Sequence, residues 1–196
     1  MKILLLMAAS VTLCGCADLI SFSLVNPGAV PVANGTMTVA PTGSWNKAPK
    51  GMVPAKFEED WTRNGFMLDQ IEFVGALADG QALVKQTAKS DQQVPVFHSG
   101  MTPTDLTSMI ESTYRVKGAA KVFNTLAVKP VNFVGQNGVQ FDFDYISENS
   151  IRWRGRAVMA ISGGKLYLMI LNATALHYFD AALPEFDALT ASAAIK

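Results

Sequence analysis

Cysteine is absent from every position after residue 16, so neither a disulfide nor a thiolate metal site can form in the rest of the chain. Excess charge is missing as well. The 16 basic side chains balance 16 acidic ones with no basic block among them, which excludes the electrostatic footprint of a nucleic-acid binder. No apolar run is long enough to cross about 30 Å of hydrocarbon as a helix. The phosphate loop, Gly-x-Gly-x-x-Gly, Gly-x-Ser-x-Gly and His-Glu-x-x-His are all missing, so no cofactor is expected and no enzyme activity is read. Histidine is scarce, with His98 and His177 far apart and neither beside an acidic pair at ligand spacing. His177, just ahead of an aromatic helical stretch, reads as a cap or a partly buried polar group before it reads as a metal ligand or a catalyst.

What is present begins with Lys2 and the apolar run Ile3 to Leu13, broken only by Ser10 and Thr12, which has the form of a signal peptide. The run ends in Leu13-Cys14-Gly15-Cys16, which resembles the lipobox of bacterial lipoproteins: a branched aliphatic three residues before the cysteine and a small residue just before it. That resemblance implies removal of residues 1–15 and a new N-terminus at Cys16, with a diacylglyceryl group on its sulfur and usually an acyl chain on its amine. Cys14 fits worse, because Leu13 would then occupy the cramped position at the cut. A secreted protein cut near Ala17 and a buried N-terminal helix stay open as alternatives. Two acyl chains, at about 0.8 kcal/mol for each buried methylene, anchor a protein without a transmembrane helix. The expected address is the bacterial cell envelope, and Ala17, where Asp would mark inner-membrane retention, points to the outer membrane facing the periplasm.

Residues 16–33 contain Pro27, Gly28 and Pro31 among small and apolar residues, which reads as a lipidated N-terminus and tether. The partial alternation of Leu19 to Val25 also suits a strand. A single α+β domain is then expected over residues 34–196. Asn64-Gly65, Asp79-Gly80, Asn137-Gly138 and Gly163-Gly164 stand between strand-like runs, and each is able to make a two-residue hairpin turn. One helix interrupts them. Thr102 caps it, Pro103 takes the first helical position, Asp105 sits in the first turn, and Met101 and Leu106 are spaced as a hydrophobic staple. Leu106, Met109, Ile110 and Tyr114 share a face, and Gly118 can end the helix. A second apolar stripe, Tyr178, Phe179, Leu183, Phe186 and Leu189, marks a C-terminal helical region that Pro184 is expected to restart.

Residues 139–172 allow a stricter reading, because paired strands must agree on which face is buried. Val139, Phe141, Phe143 and Tyr145 alternate with Gln140, Asp142 and Asp144. On the next run Ile151, Trp153, Gly155, Ala157, Met159 and Ile161 alternate with Arg152, Arg154 and Arg156. A three-residue loop, Ser147-Glu148-Asn149 with Asn149 left-handed, keeps the faces apart and pairs Asp144 with Arg152, Asp142 with Arg154 and Phe143 with Trp153. The Gly163-Gly164 turn pairs Ile161 with Leu166, Met159 with Leu168 and Val158 with Met169. The resulting sheet is apolar on both sides and calls for a helix on each, giving α/β/α layers around an antiparallel meander. The helix, the meander through Phe141 to Asn172 and the closing stretch Tyr178 to Ser192 together resemble the PsbP/Mog1-like fold over about residues 96–195. That fold hosts photosystem accessory proteins, a GTPase-binding factor and many lipoproteins, so the resemblance implies an architecture and no activity.

Two charge clusters remain. Asp142, Asp144, Arg152, Arg154 and Arg156 form either a cross-strand ion-pair ladder on a solvated face or a patch that docks another envelope protein or an anionic head group. Glu58-Glu59-Asp60 precedes Trp61, and the Asn64-Gly65 turn would set Asp60 opposite Asp69, which reads as a solvated acidic edge or, more boldly, as a divalent-ion site. Trp45, Trp61 and Trp153 are expected in the core, with a tryptophan-lined cleft as the alternative. The sequence therefore reads as a non-enzymatic envelope lipoprotein that binds or assembles with another envelope component; the alternative is a small-ligand carrier or hydrolase using that cleft.

Overall fold

The computed structural model describes residues 21–53, 55–85, 93–116 and 120–196. The leader, Cys16 and Gly118 lie outside the described residues. The strands are β1 (Ser23–Val25), β2 (Val30–Val32), β3 (Met37–Val39), β4 (Trp45–Lys47), β5 (Glu58–Thr62), β6 (Asp69–Leu77), β7 (Val122–Phe133), β8 (Gln136–Ile146), β9 (Arg152–Ser162), β10 (Lys165–Thr174) and β11 (Ala194–Ile195). The helices are α1 (Pro103–Val116) and α2 (Tyr178–Ser192). Eight strands make one antiparallel sheet, β1-β4-β5-β6-β10-β9-β8-β7, and a small second sheet runs β11-β3-β2. Residues 23–32, expected as part of a tether up to residue 33, are instead strand and turn inside the fold: Val25 pairs with Trp45, and Val32 is fully buried beside Met37.

Each helix covers one face of the large sheet. Helix α1 starts where its local chemistry dictates: Thr102 Oγ1 accepts from the Asp105 N–H at 3.3 Å, and the Asp105 carboxylate accepts from the Thr102 N–H at 2.9 Å and hydroxyl at 2.7 Å. This reciprocal cap satisfies donors that a helix start leaves open. Its buried face, Leu106, Met109, Ile110 and Tyr114, packs on Val74, Phe141, Phe143, Trp153, Met159 and Leu168. The opposite face carries Trp61, Phe73, Met169 and Leu171 under α2 and the small sheet. Helix α2 runs through Pro184 without restarting. The proline removes one N–H and frees the carbonyl of Asp180, an exposed residue whose carbonyl water can serve, while Phe179, Ala182, Phe186 and Leu189 bury on both sides of it.

Three of the four turns differ from the sequence expectation, Asn64-Gly65 being part of the loop of residues 63–68. Asn137-Gly138 lies inside β8, and the β7–β8 turn is Val134-Gly135, with φ of 50° and 74°. A side chain on Gly138 would strike the Met159 carbonyl, so this glycine marks close strand approach. Asp79-Gly80 turns the chain without joining two long strands; among the described residues it is followed by the isolated bridge between Ala82 and Val96. Gly163-Gly164 behaves as the alternation requires, both residues at positive φ, with Ile161 opposite Leu166, Met159 opposite Leu168 and Val158 opposite Met169.

The β8–β9 register is shifted by two residues from the three-residue-loop expectation. Tyr145 faces Trp153, Phe143 faces Gly155, Asp144 faces Arg154 and Asp142 faces Arg156. The loop is longer, residues 147–151, and Ser150 rather than Asn149 takes the positive φ, at 62°. Ser147 closes it, its N–H donating to the Ile151 carbonyl at 2.9 Å. The reason for the shift is steric. The Phe143 ring, fully buried and 5.2 Å from that of Tyr114, fills the space over Gly155 where any Cβ would stand.

Helix α2 is clamped at its centre by Glu185. One carboxylate oxygen accepts from the Gly43 N–H and the Trp45 indole N–H, each at 2.9 Å, and the other meets the Arg63 guanidinium at 2.7 Å. That guanidinium also lies 4.2 Å over the Trp45 ring. Burial pushes the Glu185 carboxyl up, but the donors from Arg63, Trp45 and Gly43 outweigh it and hold it below its ordinary value.

Gly155→Ala is expected to cost about 1–3 kcal/mol by chemical denaturation, because the methyl group displaces the Phe143 ring. Combining it with Phe143→Leu should cost less than the sum of the two changes. The lowered Glu185 carboxyl contributes stability above its unfolded value and loses it as pH falls through its folded one, below the ordinary 4.5. Glu185→Gln should therefore lower the melting temperature more near neutrality than in acid; an equal loss at both would contradict the clamp.

Candidate functional site

Strands β8 and β9 carry the charged ladder, and Arg156, the last of its arginines, is the most buried of the three. Arg156 binds Asp142 in two-pronged fashion, Nε to Oδ1 at 2.8 Å and Nη2 to Oδ2 at 2.7 Å, while its third nitrogen reaches Asp187 of α2 at 2.9 and 3.1 Å. Its guanidinium, 15% exposed, is held strongly protonated by Asp142, against the cost of burial, and by Asp187. Arg154 meets Asp180 at 3.0 Å and lies 4.5 Å over the Phe179 ring. Asp144 accepts from the Asn124 amide at 2.7 Å. Arg152 is exposed and stands opposite Ile146, not Asp144. Asp142, expected opposite Arg154, thus pairs with Arg156, and Asp144, expected opposite Arg152, stands opposite Arg154. Asp187 and Asp180, on the α2 turns either side of Pro184, were missed as partners because nothing local in the sequence says which strand the helix crosses.

On the other half of the sheet, the Asn64-Gly65 turn is part of a longer loop, residues 63–68, and Asp60 faces Glu72 rather than Asp69. Asp69 organises that loop: one oxygen accepts from the Thr62 hydroxyl at 2.6 Å and from the backbone N–H of Arg63 and Asn64, and the other pairs with the Asn64 amide. The like-charge opposition nevertheless exists. Glu58, Asp60 and Glu72 place carboxylate oxygens within 4.8 Å of one another, and all three are buried. This is not a solvated edge, since β5 lies between β4 and β6. The same charges bear on Tyr114, whose hydroxyl is pushed well up, first by burial, then by Tyr145 and by Glu72, Asp60 and Glu58. Glu72 was legible in the sequence as the lone carboxylate within Ile71-Glu72-Phe73.

A cavity of about 600 Å³ opens beside β4 and β5. Lys47, Lys50, Lys56, Glu58 and Glu59 supply its polar wall, with Pro31 and Val53 on the apolar side. Lys47 and Glu59 form an ion pair at 2.8 Å, leaving Lys50 and Lys56 as the cavity's other cations. No tryptophan lines it. Trp45, Trp61 and Trp153 are 0%, 1% and 7% exposed, and only Trp61 reaches a shallower recess beside β1. His98 is exposed, 3.4 Å from Asp79, and exposed His177 precedes α2 without a side-chain cap bond.

Because Arg156 joins β8, β9 and α2, Arg156→Ala is expected to lower stability by roughly 2 kcal/mol and to speed amide exchange in α2. Arg152→Ala should change stability by less than about 0.5 kcal/mol. Equal effects in denaturation would contradict the assignment of Arg156 to holding the helix.

No family model and no curated protein sequence matches the chain. Solved structures do. The solution structure of cyanobacterial PsbP (CyanoP) from Synechocystis sp. PCC 6803 superposes with a TM-score of 0.54 at 11% identity, over 95% of this chain and 99% of that one. The Ran-binding protein Mog1p of Saccharomyces cerevisiae gives 0.55 at 8% identity, over 90% and 96%. These overlaps take in the N-terminal strands as well as the C-terminal half where the sequence pattern suggested the likeness. The chain is thus an α+β protein with the PsbP/Mog1-like fold, its large antiparallel sheet covered by a helix on each face.

Proposed function

We propose that the protein is a lipid-anchored component of the bacterial cell envelope whose folded domain is a non-enzymatic binding module. Acylated Cys16 is the anchor, and the outer membrane facing the periplasm is the address. The observation that carries this reading is where the chain enters the fold. The first described strand, β1, is the outermost strand of the large sheet, and residues 21–24 ahead of and within it are exposed. That exposed entry at the sheet's edge is compatible with an anchor at Cys16. The PsbP/Mog1-like architecture is compatible with such a module. Another envelope protein is the partner class, and Arg152, the exposed member of the ladder, is its open cation. The cavity flanked by Lys47, Lys50 and Lys56 favours a second reading, a carrier of a small anionic ligand; its size falls in the usual range for such sites.

Expression of the intact chain in a bacterial envelope, with mass analysis of the purified product, tests the anchor. The expected product begins at Cys16, carries the acyl groups and sediments with membranes, whereas Cys16→Ser keeps its leader uncut and loses the acyl mass. A wild-type product that begins elsewhere, or that has an unmodified thiol at residue 16, would overturn the reading.

A further inference from the structure

The face of the large sheet beneath α1 is covered unevenly. The core under the helix draws on β6, β8, β9 and β10 and has no member from β1 or β4. Val25 packs with the α2-side core, so the alternation of a strand places Leu24, and Phe22 two residues earlier, on this open face. There the loop of residues 63–68 folds back, bringing the Phe66 ring to 5.7 Å from that of Phe22. Met67 follows in the same loop. The Leu68 carbonyl accepts from the Thr174 N–H at 3.0 Å, which draws the loop bearing Leu176 alongside.

The result is an apolar rim in water. Leu176 is 96% exposed, Met67 68%, Leu24 65% and Phe22 45%; the first three are the most exposed large hydrophobic side chains among the described residues. Single exposed apolar residues are ordinary, but several converging from separate elements mark a contact surface.

The length of the preceding chain says what covers the rim. Six residues separate Cys16 from Phe22, and six residues span at most about 21 Å. An acylated Cys16 therefore holds Phe22 within that distance of the head groups, whatever orientation the domain takes. Asn137, by contrast, is the second residue of β8, six strands across the sheet from β1, or roughly 29 Å away at the usual strand spacing. Tethering makes contact between the rim and the bilayer an intramolecular event, so a modest apolar area suffices to fix it.

We propose that Phe22, Leu24, Phe66, Met67 and Leu176 form a bilayer-contacting rim that lays the domain against the phospholipid surface in which Cys16 is anchored. The proposal rests on the lipid-anchor reading of Cys16. It goes beyond that reading by fixing which face meets the membrane and which, the β7–β8 turn end, faces away.

The mature chain has no thiol beyond Cys16, so single labels are simple to place. Met67→Cys, Leu176→Cys and Asn137→Cys would each carry an environment-sensitive fluorophore on the acylated full-length mature protein. Each would be reconstituted in vesicles of phosphatidylethanolamine and phosphatidylglycerol containing spin-labelled lipid, with mass analysis of the same samples. The expected result is a blue-shifted emission and several-fold stronger quenching at 67 and 176 than at 137. Acylated protein whose three labels are quenched alike, or most at 137, would overturn the rim and leave the anchor standing. An unmodified Cys16 would overturn the anchor, and the rim, which needs the short leash, would fall with it.

Discussion

The Phe143 ring over the bare backbone of Gly155 is the contact on which the arrangement of the rest depends. It excludes a side chain at one position of β9 and so fixes which residues of β8 and β9 stand opposite each other. With that register, Asp142 meets Arg156, and the remaining nitrogen of Arg156 reaches Asp187. A slip of two residues would keep the apolar face buried but would put Arg154 opposite Asp142, removing the link that sets α2 on the sheet. A steric fact on the α1 side of the sheet thereby decides an electrostatic one on the α2 side.

The consequence for function is an inversion of the usual expectation for surface charge and surface hydrophobicity. Arg154 and Arg156 act between sheet and helix, and Glu185 with Arg63 does the same at the centre of α2. The described surface offers outward, among other features, the apolar rim around Phe22 and Met67 and the lysine-flanked cavity beside β4. The first suits a bilayer, and the second suits a small anion. A tethered module with that rim on the membrane would present the far turns of β7 and β8 to the surrounding compartment, which is where an envelope partner would be met.

Much of the fold is legible in the residues. The reciprocal Thr102–Asp105 cap, the Gly163-Gly164 turn and the alternation on both faces of the meander dictate α1, β9, β10 and a two-sided sheet. What is not legible depends on distance in sequence. The β8–β9 register follows from a ring and a glycine that meet only in three dimensions, and either loop length keeps the faces consistent. Val134-Gly135 wins over Asn137-Gly138 because Gly138 is needed where β8 approaches Met159. Pro184 stays inside α2 because tertiary burial on both sides outweighs a lost hydrogen bond. Of the charged residues, Asp142, Asp144 and the arginines are visible by alternation, but their helix partners Asp180 and Asp187 are not. The triad Glu58, Asp60 and Glu72 depends on a strand pairing longer-looped than the Asn64-Gly65 turn suggests.

The central claim is that a short leash at Cys16 and an apolar rim around Phe22 lay this domain on the membrane. Neutron reflectometry of the acylated protein on a supported phospholipid bilayer tests it most directly. The expected profile has protein density continuous with the head-group layer. A water-filled gap between the head groups and the domain would contradict it.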